Sequence, residues 1–378
     1  MKVHAIHSMC EADARARKIR CALTLLLATG GVAHAQSSVT LYGIIDSGIE
    51  YVNNVGVART SVWRMPSLSG NYPSRWGLTG TEDLGGGNRT IFTLESGFSP
   101  SQCTLNQGGR LFGRQAFVGI SGDWGSLSFG RQYTMSYLVF AGSDVMGPNA
   151  YTWAAVDPYL ANARVDNSIV YRVRYKGLDF GATYSFGRDS AAAPAGSNCG
   201  GRSPDDANAC RDYSAMLKYD AGWGGVSTSY ERIYGGPGAA ARLTSSKLHD
   251  SRATLNAYVK IGQATIGGGF VRRINDGNPT ERQSDAVYAG VSYWFTPALI
   301  FVVQGGQLTY KETDNTSRVV ALRLSYLLSK QTSVYVTGGH VWNQGQAAVA
   351  VSGTNATGAD PAPGQGQSGF LFGIRHNF

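Results

Sequence analysis

Arg172 and Arg174 stand two residues apart in a run that alternates with Ile169, Tyr171 and Val173. If that run is extended, successive side chains point to opposite faces, so both guanidiniums share one face and the apolar groups share the other. The same separation recurs along the chain. Asp46 and Glu50 oppose Val39, Leu41, Ile45 and Ile49; Arg75 opposes Trp76 and Leu78; Glu95 opposes Phe92, Leu94 and Phe98. Arg323 opposes Leu322 and Leu324, and Arg375 opposes Phe370, Phe372 and Ile374. Charges set singly along one face of strand after strand build a wall against water. Such a wall orients and sorts passing ions and polar solutes rather than transforming them.

Other chemistries find little support. Beyond residue 35 the histidines are His249, His340 and His376, far apart and without a partner at metal-ligand spacing, so no metal site is expected. A hydrolase needs a nucleophile beside a base, for which His340 with a strand serine is the one weak candidate. Gly85-Gly86-Gly87-Asn88 follows Asp83 in a tight turn and lacks the strand-to-helix setting of a phosphate loop. No enzyme activity and no cofactor is expected. The formal charge of +8 is spread singly and not concentrated in a basic stripe, which argues against nucleic acid as a partner.

The elements that carry these residues read as a barrel. Lys18 and Arg20 precede an apolar run from Cys21 to Val32 and then Ala33-His34-Ala35, the layout of a cleaved signal peptide over residues 1–35. Residues 36–378 then form one domain, retaining 28 Lys and Arg against 23 Asp and Glu. From Val39 onward, alternating segments of about ten residues are joined in turn by short Gly- and Asp-rich turns and longer polar loops. Seven short turns and eight long segments, near residues 53–72, 99–112, 133–165, 188–211, 235–250, 274–283, 311–317 and 343–368, imply sixteen antiparallel strands. An even number lets the first strand pair with the last, leaving no open edge in lipid. A lipid-facing arginine at mid-depth costs roughly 2–4 kcal/mol, so the charged face belongs inside. The mean hydropathy of −0.16 suits a sheet with one wet face.

Ser38-Val39-Thr40-Leu41-Tyr42-Gly43 with Asp46, the stretch from Ser74 to Gly85, Gly113-Arg114-Gln115-Ala116-Phe117-Val118-Gly119, Phe129-Gly130-Arg131-Gln132 and the final Phe378 occur together in this order. The chain thereby resembles the general diffusion porins of Gram-negative bacteria, in particular the β-proteobacterial branch. The resemblance implies an outer-membrane homotrimer in contact with lipids and lipopolysaccharide, each 16-stranded barrel passing small hydrophilic solutes and ions. It implies that the third long loop, residues 133–165, folds into the lumen. It also implies that Phe378 is part of the signal read by the outer-membrane assembly machinery.

Motif matching places Arg75, Arg114, Arg131 and Arg164 at the constriction, with Asp144 and Asp157 as the acids of the loop. The parity of Arg131 is ambiguous without a bulge, and the two aspartates read equally well as caps of the loop backbone. The usual Pro-Glu-Phe-Gly stretch is replaced by Ser143-Asp144-Val145-Met146-Gly147, which lowers the expected negative charge of the loop. Counting inward positions, including Lys218, Glu231 and Arg252, gives an excess of cations and an expected mild anion preference. The alternative is a substrate-specific channel, with Tyr133, Tyr137, Phe140, Tyr151, Trp153 and Tyr159 forming a binding site on the loop. Cys199 and Cys210 are candidates for a disulfide, with Cys103 either odd or paired to one of them.

Overall fold

The computed structural model describes residues 37–66, 72–147, 149–155, 164–188, 199, 201, 203–239, 241–352 and 359–378. The signal peptide expected over residues 1–35, Asp157 and Tyr159 lie outside them. The barrel strands are β1 (Ser38–Val55), β2 (Arg75–Gly85), β3 (Asn88–Ser99), β4 (Gln115–Gly122), β5 (Gly125–Tyr133), β6 (Arg164–Tyr175), β7 (Leu178–Ser185) and β8 (Asp212–Asp220). They continue with β9 (Gly224–Tyr234), β10 (His249–Ile261), β11 (Ala264–Asn275), β12 (Gln283–Thr296), β13 (Leu299–Tyr310), β14 (Thr316–Leu327), β15 (Thr332–Gln344) and β16 (Gln367–Asn377).

Neighbours pair antiparallel all the way round. β1 joins β2 at Leu41↔Leu78 and β16 at Ile49↔Phe372, so the sheet closes into the sixteen-stranded barrel that the alternation predicts. Closure satisfies every strand's backbone groups within the sheet, which the hydrocarbon demands. The short strand Thr60–Arg64, which the spacing did not foretell, turns back onto the upper half of β1.

The two faces separate as parity requires. Val39 and Leu41 are 62% and 58% exposed on the outside, whereas Asp46 and Glu50 on the inside are wholly buried. Trp223, Phe295 and Leu328 stand exposed beside the short turns, where an amphipathic or bulky ring suits the membrane boundary. Four of the five largest buried side chains, Trp153, Tyr151, Met135 and Met146, come from the segment between β5 and β6. They pack against inward residues of the wall, among them Met216, Val271 and Tyr288. Cys199 is bonded to Cys210, and Cys103 is an exposed free thiol on a different loop, so the pairing of Cys103 with either is not what the structure contains.

Candidate functional site

Strands β2 to β7 carry a wall on which guanidiniums share carboxylates two to one. Glu95 on β3 accepts from Arg114 Nε at 2.6 Å and lies 3.5 Å from Arg75 Nε. Its other contact is the Tyr42 hydroxyl, which donates at 3.0 Å. Asp166 on β6 is shared by Arg131 at 2.6 Å and Arg110 at 3.1 Å. Asp179 on β7 is shared by Arg172 at 2.5 Å and Arg174 at 2.9 Å. Arg164 has no carboxylate among the described residues. Its guanidinium sits 4.7 Å above the Tyr133 ring and donates to the Tyr133 hydroxyl, which also accepts from Arg114 at 2.7 Å.

A bulge on the neighbouring strand gives Arg131 its partner. The β5–β6 register slips between Gly130↔Ser168 and Gln132↔Val165, so β6 has one residue too many there, and Asn167 takes up a left-handed φ of 49°. The slip brings the Asp166 carboxylate to Arg131, whose Nε also donates to the Gly113 carbonyl at 2.6 Å.

The opposite part of the wall is covered. After β5, Thr134 caps a single helical turn, α1 (Met135–Leu138), by accepting from the Tyr137 amide. From there the segment runs along inward side chains of successive strands. Ser227 on β9 donates to the Val139 carbonyl at 2.8 Å, and Ser143 bonds the Tyr288 hydroxyl of β12 at 2.8 Å. Gln304 on β13 donates to Asp144 at 2.8 Å, and Arg323 on β14 donates to the Met146 carbonyl at 3.1 Å. Tyr151 donates to Glu50 on β1 at 2.9 Å. Close approach is possible because small residues line the bed. A Cβ on Gly267 would come within 2.3 Å of the Ser143 carbonyl oxygen, and one on Gly306 within 2.6 Å of Trp153 Cβ. The rings of Trp153 and Tyr288 then stack at 4.3 Å. Burial and the neighbouring Tyr133 push the Tyr137 phenol up to about 12, and burial beside Glu50 raises that of Tyr151 as well.

The segment redistributes several residues expected in the lumen. Asp46, Glu50 and Arg323 do lie on the inward parity, but they are 0%, 0% and 6% exposed, not open to lumen water. Asp46 accepts from the Tyr335 hydroxyl at 2.5 Å and the Tyr72 amide at 2.9 Å, and Glu50 is paired with Arg64. Glu231 and Arg252, also counted as lumen charges, are buried beneath α1. Parity places a side chain on a face and says nothing of what later covers it. Arg375 stays on the inner face, its guanidinium 5.1 Å from the Tyr72 ring. Asp144 Oδ1 accepts from Gln304 and from the Gly147 amide at 3.0 Å, the geometry of a loop cap.

No group of three or more His, Cys, Asp or Glu able to hold a metal ion occurs among the described residues. His340 does meet a strand serine, with Nδ1 at 2.7 Å from Ser368 Oγ. The pair shares the outward parity of the exposed Val336, Trp342 and Phe370, so it faces away from the solute path. Sequence reasoning missed Arg110, Gln304 and Tyr335 as partners. Their signal is inward polarity next to Asp166, Asp144 and Asp46, legible once the register is known.

The profile of the Gram-negative porins matches residues 22–346. An outer membrane porin protein of Bordetella pertussis is 36% identical over 234 residues, covering 57% of this chain and 60% of that protein's length. Outer membrane porin protein 32 of Delftia acidovorans is 27% identical over 373 residues, 93% of this chain and 97% of that one. Among solved structures, an anion-selective porin from Comamonas acidovorans superposes with a TM-score of 0.73 at 24% identity, covering 91% of this chain and all of that one. A trimeric form of an outer membrane protein of Vibrio cholerae gives a TM-score of 0.62 at 16% identity, covering 90% and 99%.

Proposed function

This chain belongs to the Gram-negative porins and is an outer-membrane diffusion channel, and from that premise we propose that its pore passes anions more readily than cations. The observation that carries the proposal is the two-to-one sharing on the wall of β2 to β7, where Glu95, Asp166 and Asp179 each serve two arginines and Arg164, among the described residues, bonds Tyr133. The segment 134–155 narrows the channel by occupying the inner face from β8 round to β1, and leaves the arginines as the charged side of the remaining passage.

Reversal potentials under a tenfold KCl gradient test this. A potential of the sign set by chloride is expected, and one set by potassium would overturn the proposal. The rival reading, a substrate-specific channel with a site on residues 133–165, loses support because Phe140, Tyr151 and Trp153 are buried against the wall. Conductance that saturates with one solute would restore it.

Likeness to the family supports the remaining parts of the reading. Residues 1–35 are removed on export, and the mature barrel of residues 36–378 assembles as a homotrimer among outer-membrane lipids and lipopolysaccharide. Phe378 serves the assembly machinery. Its backbone exchanges hydrogen bonds with Gly43 at 2.9 and 3.1 Å, which ties that residue to β1.

A further inference from the structure

Glu231 and Arg252 lie beneath α1, within a charged group that also includes Arg188, Asp212, Asp250 and Arg273, all but Arg273 at most 4% exposed. Two of its carboxylates are conventionally paired, Asp212 with Arg188 at 3.2 Å and Asp250 with Arg273 at 2.6 Å. Glu231 differs. It is 1% exposed, and among the described residues neither of its carboxylate oxygens accepts a hydrogen bond. Its cross-strand partner Arg252 is 3% exposed, with Nε and Nη1 donating to no described residue and the nearest carboxylate, Asp250, at 3.7 Å. Both side chains border one enclosed cavity of about 10 Å³, whose lumen side is closed by Ser136, Tyr137 and Phe140. That is room for about one water molecule, which needs two to four polar partners of the kind these two residues offer.

We propose that Glu231 and Arg252 are positioning residues for the loop: a charged seat under α1 whose charge balance sets how firmly the loop stays against the wall. The inference rests on the diffusion-channel reading and adds a reason for the channel to close and reopen. Charge held out of water is costly to bury, and two opposite charges there are often replaced together by apolar side chains without loss, whereas removing one of them leaves the other less compensated. Lumen water can reach that charge only if α1 lifts. Single neutralisations therefore favour the lifted loop, and replacing both favours the seated one. A residue that merely helps the barrel fold predicts the reversal in thermal stability but not in the rate of channel closures.

Single-channel recordings on the full barrel at raised voltage, for Glu231→Gln, Arg252→Gln and the double variant Glu231→Leu/Arg252→Leu, decide the matter. Each single variant should raise the rate of brief closures by about tenfold or more, and the double should return to the wild-type rate or below. Singles as quiet as wild type, or a double as noisy as the singles, overturn the proposal. Heat-modifiable migration checks that each barrel has formed. Should a single variant not form, Ser136→Cys/Ser229→Cys in a Cys103→Ser background provides the second arm, since the two hydroxyls lie 3.4 Å apart. Oxidation should silence closures and reduction restore them; closures indifferent to oxidation sink the idea. A wild-type protein that forms no channel at all would instead count against the diffusion reading.

Discussion

The arginine wall and the group beneath α1 use the same residue types on the same inward parity, yet they are built to different rules. On the wall, Glu95, Asp166 and Asp179 each hold two guanidiniums, and positive charge is left over. In the group that reaches under α1, three carboxylates, Asp212, Glu231 and Asp250, stand against three arginines, Arg188, Arg252 and Arg273. Some wall arginines reach water: the Arg174, Arg172 and Arg75 side chains are 71%, 29% and 20% exposed, whereas Arg114 and Glu95, both at 4%, are as dry as the group under α1. Counter-ions within a Debye length of about 8 Å stabilise an excess of one sign on a wet surface. A dry site has no such help, and unbalanced charge there costs several kcal/mol. The loop is what divides one kind of site from the other.

The largest effect should come from inverting the arginine wall. Arg75→Glu/Arg114→Glu removes two cations beside Glu95, and the reversal potential should change sign toward potassium. Retention of chloride preference would show that selectivity resides elsewhere. Next in size is loosening the division itself. Trp153→Ala takes away a buried ring that stacks on Tyr288, a change of about 3–5 kcal/mol in comparable cores, and open-channel noise should rise while ion preference holds. Tyr151→Phe removes one hydrogen bond to Glu50, worth about 1–2 kcal/mol, and should alter noise slightly with conductance nearly unchanged. Salt gives the smallest contrast. Between 0.1 and 1 M the Debye length falls from about 10 to 3 Å, so the ion preference of wild type should shrink while the noise of Trp153→Ala stays as it was.

Sequence alternation yields the barrel because lipid imposes the period on every strand, and it places Arg75, Glu95, Arg172 and Arg323 on the correct face. It does not reveal which inward charges are wet. Glu231 and Arg323 have the same parity as Arg172, and only the path of residues 134–155 buries them. That path left a trace in the inward glycines Gly267 and Gly306, whose missing side chains make the bed, but nothing in the local pattern ties a bare position to a segment over a hundred residues away. The sharing of Asp166 was hidden for another reason. A bulge at Asn167 shifts the register, and a one-residue slip changes every partner that parity would assign. Asp157, expected among the acids of the loop, lies outside the described residues.

The seam between β1 and β16 joins residues such as Ile49 and Phe372, 323 positions apart. Each of the other strand pairs closes a hairpin or a single loop, contacts that form early because little chain entropy is lost. The seam comes last. Until it forms, the nascent sheet is a ribbon with two bare edges, each able to pair with another copy of itself. Damage to this one junction should therefore be felt in time rather than in transport: fewer barrels completed, more misassembled chains, and normal current through each channel that does close.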